Sequence, residues 1–103
     1  MAQTPEGKIK KQITDLVDDL QKEGLKIYWE RRDASGLNYR KGKADLFVVL
    51  AGLHIEVETK APKGEQSAMQ ETWQRQCLAL DIPYILAGSK EEFLTKLEKF
   101  ISS

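Results

Sequence analysis

The stretch from Lys41 to Lys60, KGKADLFVVLAGLHIEVETK, constrains this chain more than any other. It reads as two short apolar strands joined by a tight Ala51-Gly52 turn, the first led by Asp45 and the second ending in Glu58-Thr59-Lys60. Successive side chains of a strand point to opposite faces, so His54, Glu56, Glu58 and Lys60 share one face while Ile55, Val57 and Thr59 share the other. One face asks for an apolar cover. The other carries two carboxylates and an ammonium, with Asp45 nearby, which is more charge than packing requires.

The flanking segments supply the cover. Thr4 as N-cap and Pro5 at the first helical position open a helix from Pro5 to Glu23, on which Ile9, Ile13, Leu16, Val17 and Leu20 recur at helical spacing before Gly24 ends it. Leu25 to Arg31 is rich in β-branched and aromatic residues and reads as a strand, with Ile27 and Trp29 on one face and Tyr28 and Glu30 on the other. With Ala44–Leu50 and Leu53–Thr59 it makes an antiparallel meander. Beyond the Pro62-Lys63-Gly64 break, Ser67 to Leu80 reads as a helix. Met69, Trp73, Cys77 and Leu80 form its apolar stripe, and Gln66, Gln70 and Gln74 form a polar one. Trp73 is thus expected in the core rather than as a base-stacking platform. Pro83 to Ala87 is a short buried strand reached by a crossover from the hairpin. Ser89 caps a last helix with Glu92 at the capping-box position, and Phe93, Leu94, Leu97, Phe100 and Ile101 face inward. The order αβββαβα predicts one domain over 1–103, an α/β sandwich whose central mixed sheet has helices on both faces.

Composition narrows the functional classes. No apolar run approaches the ~20 residues that span a bilayer, and MAQTPEGKIKK lacks the apolar middle of a secretion signal, so a cytoplasmic location is expected. Cys77 is the one cysteine, which excludes an internal disulfide and a cysteine-held zinc and leaves an inert thiol. Lys+Arg and Asp+Glu both number 16, so whole-molecule electrostatics give no case for nucleic acid. Locally the balance differs. Residues 31–43 hold Arg31, Arg32, Arg40, Lys41 and Lys43 against Asp33 alone, directly before Asp45. A basic loop beside an acidic pocket suits a polyanion held near a metal ion, because phosphate contacts supply most sequence-independent affinity for nucleic acid.

An acid-x-Lys triplet is weak by itself, since Glu6-Gly7-Lys8 matches as well as Glu58-Thr59-Lys60. Context separates the two. The second ends a strand, follows a strand led by Asp45, precedes a Pro-Gly loop and is followed by a helix carrying Gln70. Two carboxylates offer hard oxygen ligands to Mg²⁺ or Mn²⁺, and Lys60 can orient a water or offset charge on a phosphate. His54 stands about 13 Å from Glu58 at ~3.3 Å per residue, too far to share its chemistry, and reads as an ordinary strand histidine. Glu56, about 6 to 7 Å from Glu58 on the same measure, reads as a residue behind the ligands or facing solvent rather than a ligand.

These motifs resemble the PD-(D/E)XK nuclease superfamily, and within it the virus-type replication-repair nuclease (VRR-NUC) domain, whose small stand-alone members occur in phages and bacteria. The resemblance rests on Gly42-x-x-Asp45, Glu56-x-Glu58-x-Lys60 and Ser67-x-x-Gln70, within an element order that matches over nearly the whole chain. Ala44 departs from the proline usual before the aspartate. The resemblance implies a restriction-endonuclease-like fold and a metal held by Asp45, Glu58 and the Thr59 backbone carbonyl, with Glu6 as the acid of the first helix. It implies Lys60 as the catalytic lysine and Gln70 as its support. It further implies a Mg²⁺- or Mn²⁺-dependent DNA endonuclease leaving 5′-phosphate and 3′-hydroxyl ends. A domain this small is expected to act as a homodimer on branched DNA such as four-way junctions. The alternatives are a catalytically silent nucleic-acid-binding or scaffolding domain on the same fold, and an RNA-directed enzyme.

Overall fold

The computed structural model describes residues 4–32, 43–44, 46–61 and 64–101. Asp45, Arg40 and Lys41 lie outside them. Seven elements follow in the expected order: α1 (Pro5–Lys22), β1 (Ile27–Arg31), β2 (Leu46–Leu50), β3 (Leu53–Thr59), α2 (Ala68–Ala79), β4 (Tyr84–Ala87) and α3 (Lys90–Ile101). They form one four-stranded sheet in the order β1-β2-β3-β4. The first three strands are an antiparallel meander, and β4 runs parallel to β3. The sheet is therefore mixed, as the crossover from hairpin to PYILA requires.

Local chemistry sets the element ends. The Thr4 hydroxyl accepts the Gly7 N–H at 3.0 Å, satisfying one unpaired donor of the first turn. Gly24, at φ 105°, closes α1 through bonds from the Gly24 N–H to the Gln21 carbonyl and from the Leu25 N–H to the Leu20 carbonyl. This double bond set is a Schellman stop, in which glycine takes the left-handed position at no steric cost. In the hairpin, Leu50 pairs with Leu53, so the loop is Ala51-Gly52 alone, with φ of 49° and 86°. Positive φ at both central residues gives the twist that a two-residue hairpin needs.

One face of the sheet carries the main core. Ile27 on β1, Leu46, Val48 and Leu50 on β2, Ile55 and Val57 on β3, and Ile85 and Ala87 on β4 are buried together with Ile9, Ile13 and Val17 of α1 and Phe93 and Leu97 of α3. α1 and α3 also pack against each other on this face. Trp29 lies against the same core and donates its indole N–H to Asp18 at 2.9 Å. The period-3.6 stripe of α1 and the period-2 alternation of the strands thus meet as the sequence predicts.

α2 covers the opposite face more thinly, and here two expectations fail. Of its apolar stripe Cys77 is fully buried, Trp73 is half-buried, and Met69 and Leu80 are 49% and 69% exposed. Ile101 of α3, expected inside, is 48% exposed. Helical spacing identifies a stripe but not its width of contact. The face beneath α2 carries Glu56 and Glu58, which leave little apolar surface for Met69 or Leu80 to cover.

At the start of α3 the Ser89 hydroxyl accepts the Glu92 N–H at 3.0 Å, while the Glu92 carboxylate reaches past the cap to the Gly88 N–H at 2.6 Å. It also meets Lys96 one turn on, at 2.9 Å. The bond to Gly88 and the ion pair with Lys96 hold the Glu92 carboxyl below its ordinary pKa. A depressed folded-state pKa stabilises above the unfolded value, about 4.3, and the gain is lost as pH falls through the folded value. Glu92→Ala is expected to cost roughly 0.5 to 1 kcal/mol at pH 7. Urea unfolding at pH 7 and pH 3 checks this: the gap between variant and wild type narrows at the lower pH.

Candidate metal and nucleic-acid site

Strand β3 is paired on both edges and buried on both faces from Ile55 to Thr59. Its two carboxylates therefore cannot rely on bulk water. They meet opposite fates.

Glu56, 1% exposed, is fully engaged. Arg32 places its two terminal nitrogens on the two carboxylate oxygens, at 2.5 and 2.8 Å. The His54 Nε2 bonds the second oxygen, and the Trp73 indole N–H donates to the first at 3.3 Å. Burial pushes the Glu56 carboxyl upward, but the hydrogen bonds and charges of Arg32 and His54 outweigh it and hold the group below its ordinary pKa. The surroundings are aromatic. The Arg32 guanidinium lies over the rings of Phe47 and Trp73, at 5.5 and 6.0 Å from their centroids, and the His54 ring stacks on Phe47 with centroids 4.5 Å apart. Lys43 sits 4.7 Å over Trp73.

Glu58, 3% exposed, is only half satisfied. Its Oε2 accepts from the Gln66 amide at 2.7 Å, whereas Oε1 is buried with no hydrogen-bond partner among the described residues. The Tyr84 hydroxyl stands beside it, 3.5 Å from the Gln66 amide nitrogen. Burial, then the negative charge of Glu58 and the approach of the Tyr84 hydroxyl to that carboxylate, raise the Tyr84 pKa far above its ordinary value, so the phenol stays protonated. A buried carboxylate oxygen without a donor is costly unless a cation meets it, and a hard divalent ion fits such an oxygen. Lys60 follows β3 directly, half-buried, with its backbone N–H on the Ala87 carbonyl at 3.1 Å.

The other expected site residues are distributed as follows. Glu6 lies in the first turn of α1. Arg31 is exposed at the end of β1, and Lys43 is half-buried against Trp73. Gln70 closes a capping box with Ser67: its amide oxygen accepts the Ser67 N–H at 2.9 Å, and its own N–H goes to the Ser67 hydroxyl at 3.1 Å. The glutamine that touches the carboxylate is Gln66, four residues earlier. Asp45 is outside the described residues, and among the described residues no three His, Cys, Asp or Glu are grouped to hold a metal.

Three sequence readings narrow or change. Of the two places left open for Glu56, behind the ligands or facing solvent, burial excludes the second, since Glu56 is the centre of a buried ionic network, and His54 is part of that network rather than an ordinary strand histidine. Trp73 is likewise not a plain core residue, since its polar edge serves Glu56 and its face carries a lysine. The missed residues are Arg32 as an inward partner, Gln66 and Tyr84. A glutamate between Ile55 and Val57 on a central strand was the available signal, because a carboxylate there needs a cation.

A scan against protein-family models finds no match, and a search of the curated proteins finds none either. Among solved structures, a chain described as "VRR_NUC domain" superposes with a TM-score of 0.75 at 20% identity, over 93% of this chain and 97% of that one.

Two outcomes follow from the burial on this face. The Cys77 thiol, pushed up to about 11 by burial and then by the charge of Glu56, is expected to resist iodoacetamide at pH 8 until the chain unfolds. Glu58→Gln is expected to raise metal-free stability by about 1 kcal/mol, because it removes a charge whose second oxygen has no donor. A lower melting temperature for this variant would show that the carboxylate serves the fold instead.

Proposed function

The chain has the VRR_NUC fold, an α/β restriction-endonuclease-like sandwich, and we propose that it is a nuclease of that family, a divalent-metal-dependent DNA endonuclease. The observation that carries this reading is the buried, donorless Oε1 of Glu58, two residues before Lys60 at the end of the central strand. Asp45, Glu58 and the Thr59 carbonyl would hold Mg²⁺ or Mn²⁺, with Glu6 as a further acid. When bound, the ion supplies Lewis acidity toward a phosphate oxygen and lowers the pKa of water.

The remaining roles belong to the chain itself. Gln66 fixes one oxygen of Glu58, and the other would be free to meet the ion. The Lys60 ammonium would orient the attacking water or offset charge gathering on the phosphate. Gln70 shapes the start of α2, and through it the segment that carries Gln66 to the site. Arg31, Arg40, Lys41 and Lys43 would place positive charge along the approach of a phosphate backbone, whereas Arg32 turns inward to Glu56. Branched DNA, including four-way junctions, is the favoured substrate class, cut by a homodimer whose two sites engage two arms.

Labelled four-way junctions, flaps, linear duplexes and matched RNA, incubated with Mg²⁺ or Mn²⁺, test the reading. Wild type is expected to cut DNA, and Lys60→Ala to lose at least about 100-fold in rate. Calorimetry is expected to show Mn²⁺ binding that Glu58→Gln and Asp45→Asn abolish. Wild type no more active than Lys60→Ala, with no Mn²⁺ binding, would leave a silent nucleic-acid-binding domain in its place. Faster cutting of RNA would reassign the substrate.

A further inference from the structure

We infer that Arg32 and Glu56 form a clasp that positions the metal-binding end of β2, a role resting on the nuclease reading but separable from it. Arg32 is the last described residue before segment 33–42, and Lys43 and Ala44 are the first after it. Besides gripping Glu56, the Arg32 guanidinium donates to the Ala44 carbonyl at 2.5 Å. That carbonyl belongs to the peptide bond that joins Ala44 to Asp45. One side chain therefore ties together three parts of the chain: the exit of β1, the peptide entering Asp45, and the centre of β3 two residues before Glu58.

The second anchor is Trp73 of α2, which donates to Glu56 and carries Lys43 over its ring. Arg32 and Lys43 thus both lie against Trp73, and Arg32 also grips Glu56. A planar guanidinium suits this task because its donors are fixed in a fork, so that two can meet a carboxylate while the group also reaches a carbonyl. Lysine offers the same charge without the fork. Arg32 and Glu56 are accordingly positioning residues: they touch neither a substrate nor a metal, and they fix the Ala44 carbonyl, which precedes Asp45 in the chain, relative to β3. Support of this kind typically changes metal affinity 10- to 100-fold.

The test compares wild type, Arg32→Lys and the double variant Arg32→Met, Glu56→Met. The double variant replaces a buried ion pair with apolar groups of similar size, a change that folded proteins often tolerate. Mn²⁺ affinity by calorimetry is read beside the melting temperature without metal and the split of any cleavage defect between kcat and KM. The clasp predicts at least tenfold weaker Mn²⁺ binding in both variants, in kcat more than KM, at a melting temperature within a few degrees of wild type. Wild-type Mn²⁺ affinity in either folded variant overturns it and leaves the nuclease reading standing. Failure of wild type to bind Mn²⁺ overturns both. Should the double variant not fold, Arg32→Lys decides alone.

Discussion

A central strand that is paired on both edges and covered on both faces must find partners for every polar group it carries, and β3 carries two carboxylates. Each ionised carboxylate removed from water costs several kcal/mol unless paired. The cost is met in full at Glu56, by a guanidinium fork, an imidazole and an indole. At Glu58 it is met by half. This inequality, between two identical side chains two residues apart, organises the polar half of the molecule.

The apolar half makes the inequality affordable. Residues of α1, α3 and all four strands form one continuous core on the opposite face. Helix α2 then has little packing left to contribute. It contributes polar groups instead: Gln66 just before its cap, Trp73 in its second turn and the shielded thiol of Cys77. Its exposed Met69, Leu78 and Leu80 follow from the same division, since a helix laid over carboxylates cannot bury a full stripe.

Most of the fold was legible in the sequence because it depends on local patterns. Pro5 after Thr4, the Gly24 stop, the Ala51-Gly52 turn and the alternation of β2 and β3 each act within a few residues, and each marks an element end or face that the structure repeats. The limits of burial on α2 and α3 were not legible, because periodicity gives direction and not depth. At the site, the sequence singled out Glu58 and Lys60 by their place at a strand end. It missed the partners. Arg32 and Glu56 are 24 residues apart, and no spacing rule joins them. Gln66 and Gln70 share a polar stripe at helical spacing, yet one lies before the N-cap and the other closes the capping box, a difference set by where the helix begins.

Placing the satisfied carboxylate next to the unsatisfied one has a physical consequence for the site. Two charges on neighbouring same-face positions of a strand repel, and pairing one of them locally weakens that repulsion. Arg32 and His54 engage the oxygens of Glu56, and the Glu58 oxygen is left without a partner among the described residues. A cation supplied instead by a flexible lysine beside Glu58 would satisfy that oxygen and close the site. The arrangement leaves one oxygen without a donor at the end of the central strand, where the parallel β4 pairing and the segment leading into the α2 cap hold Glu58.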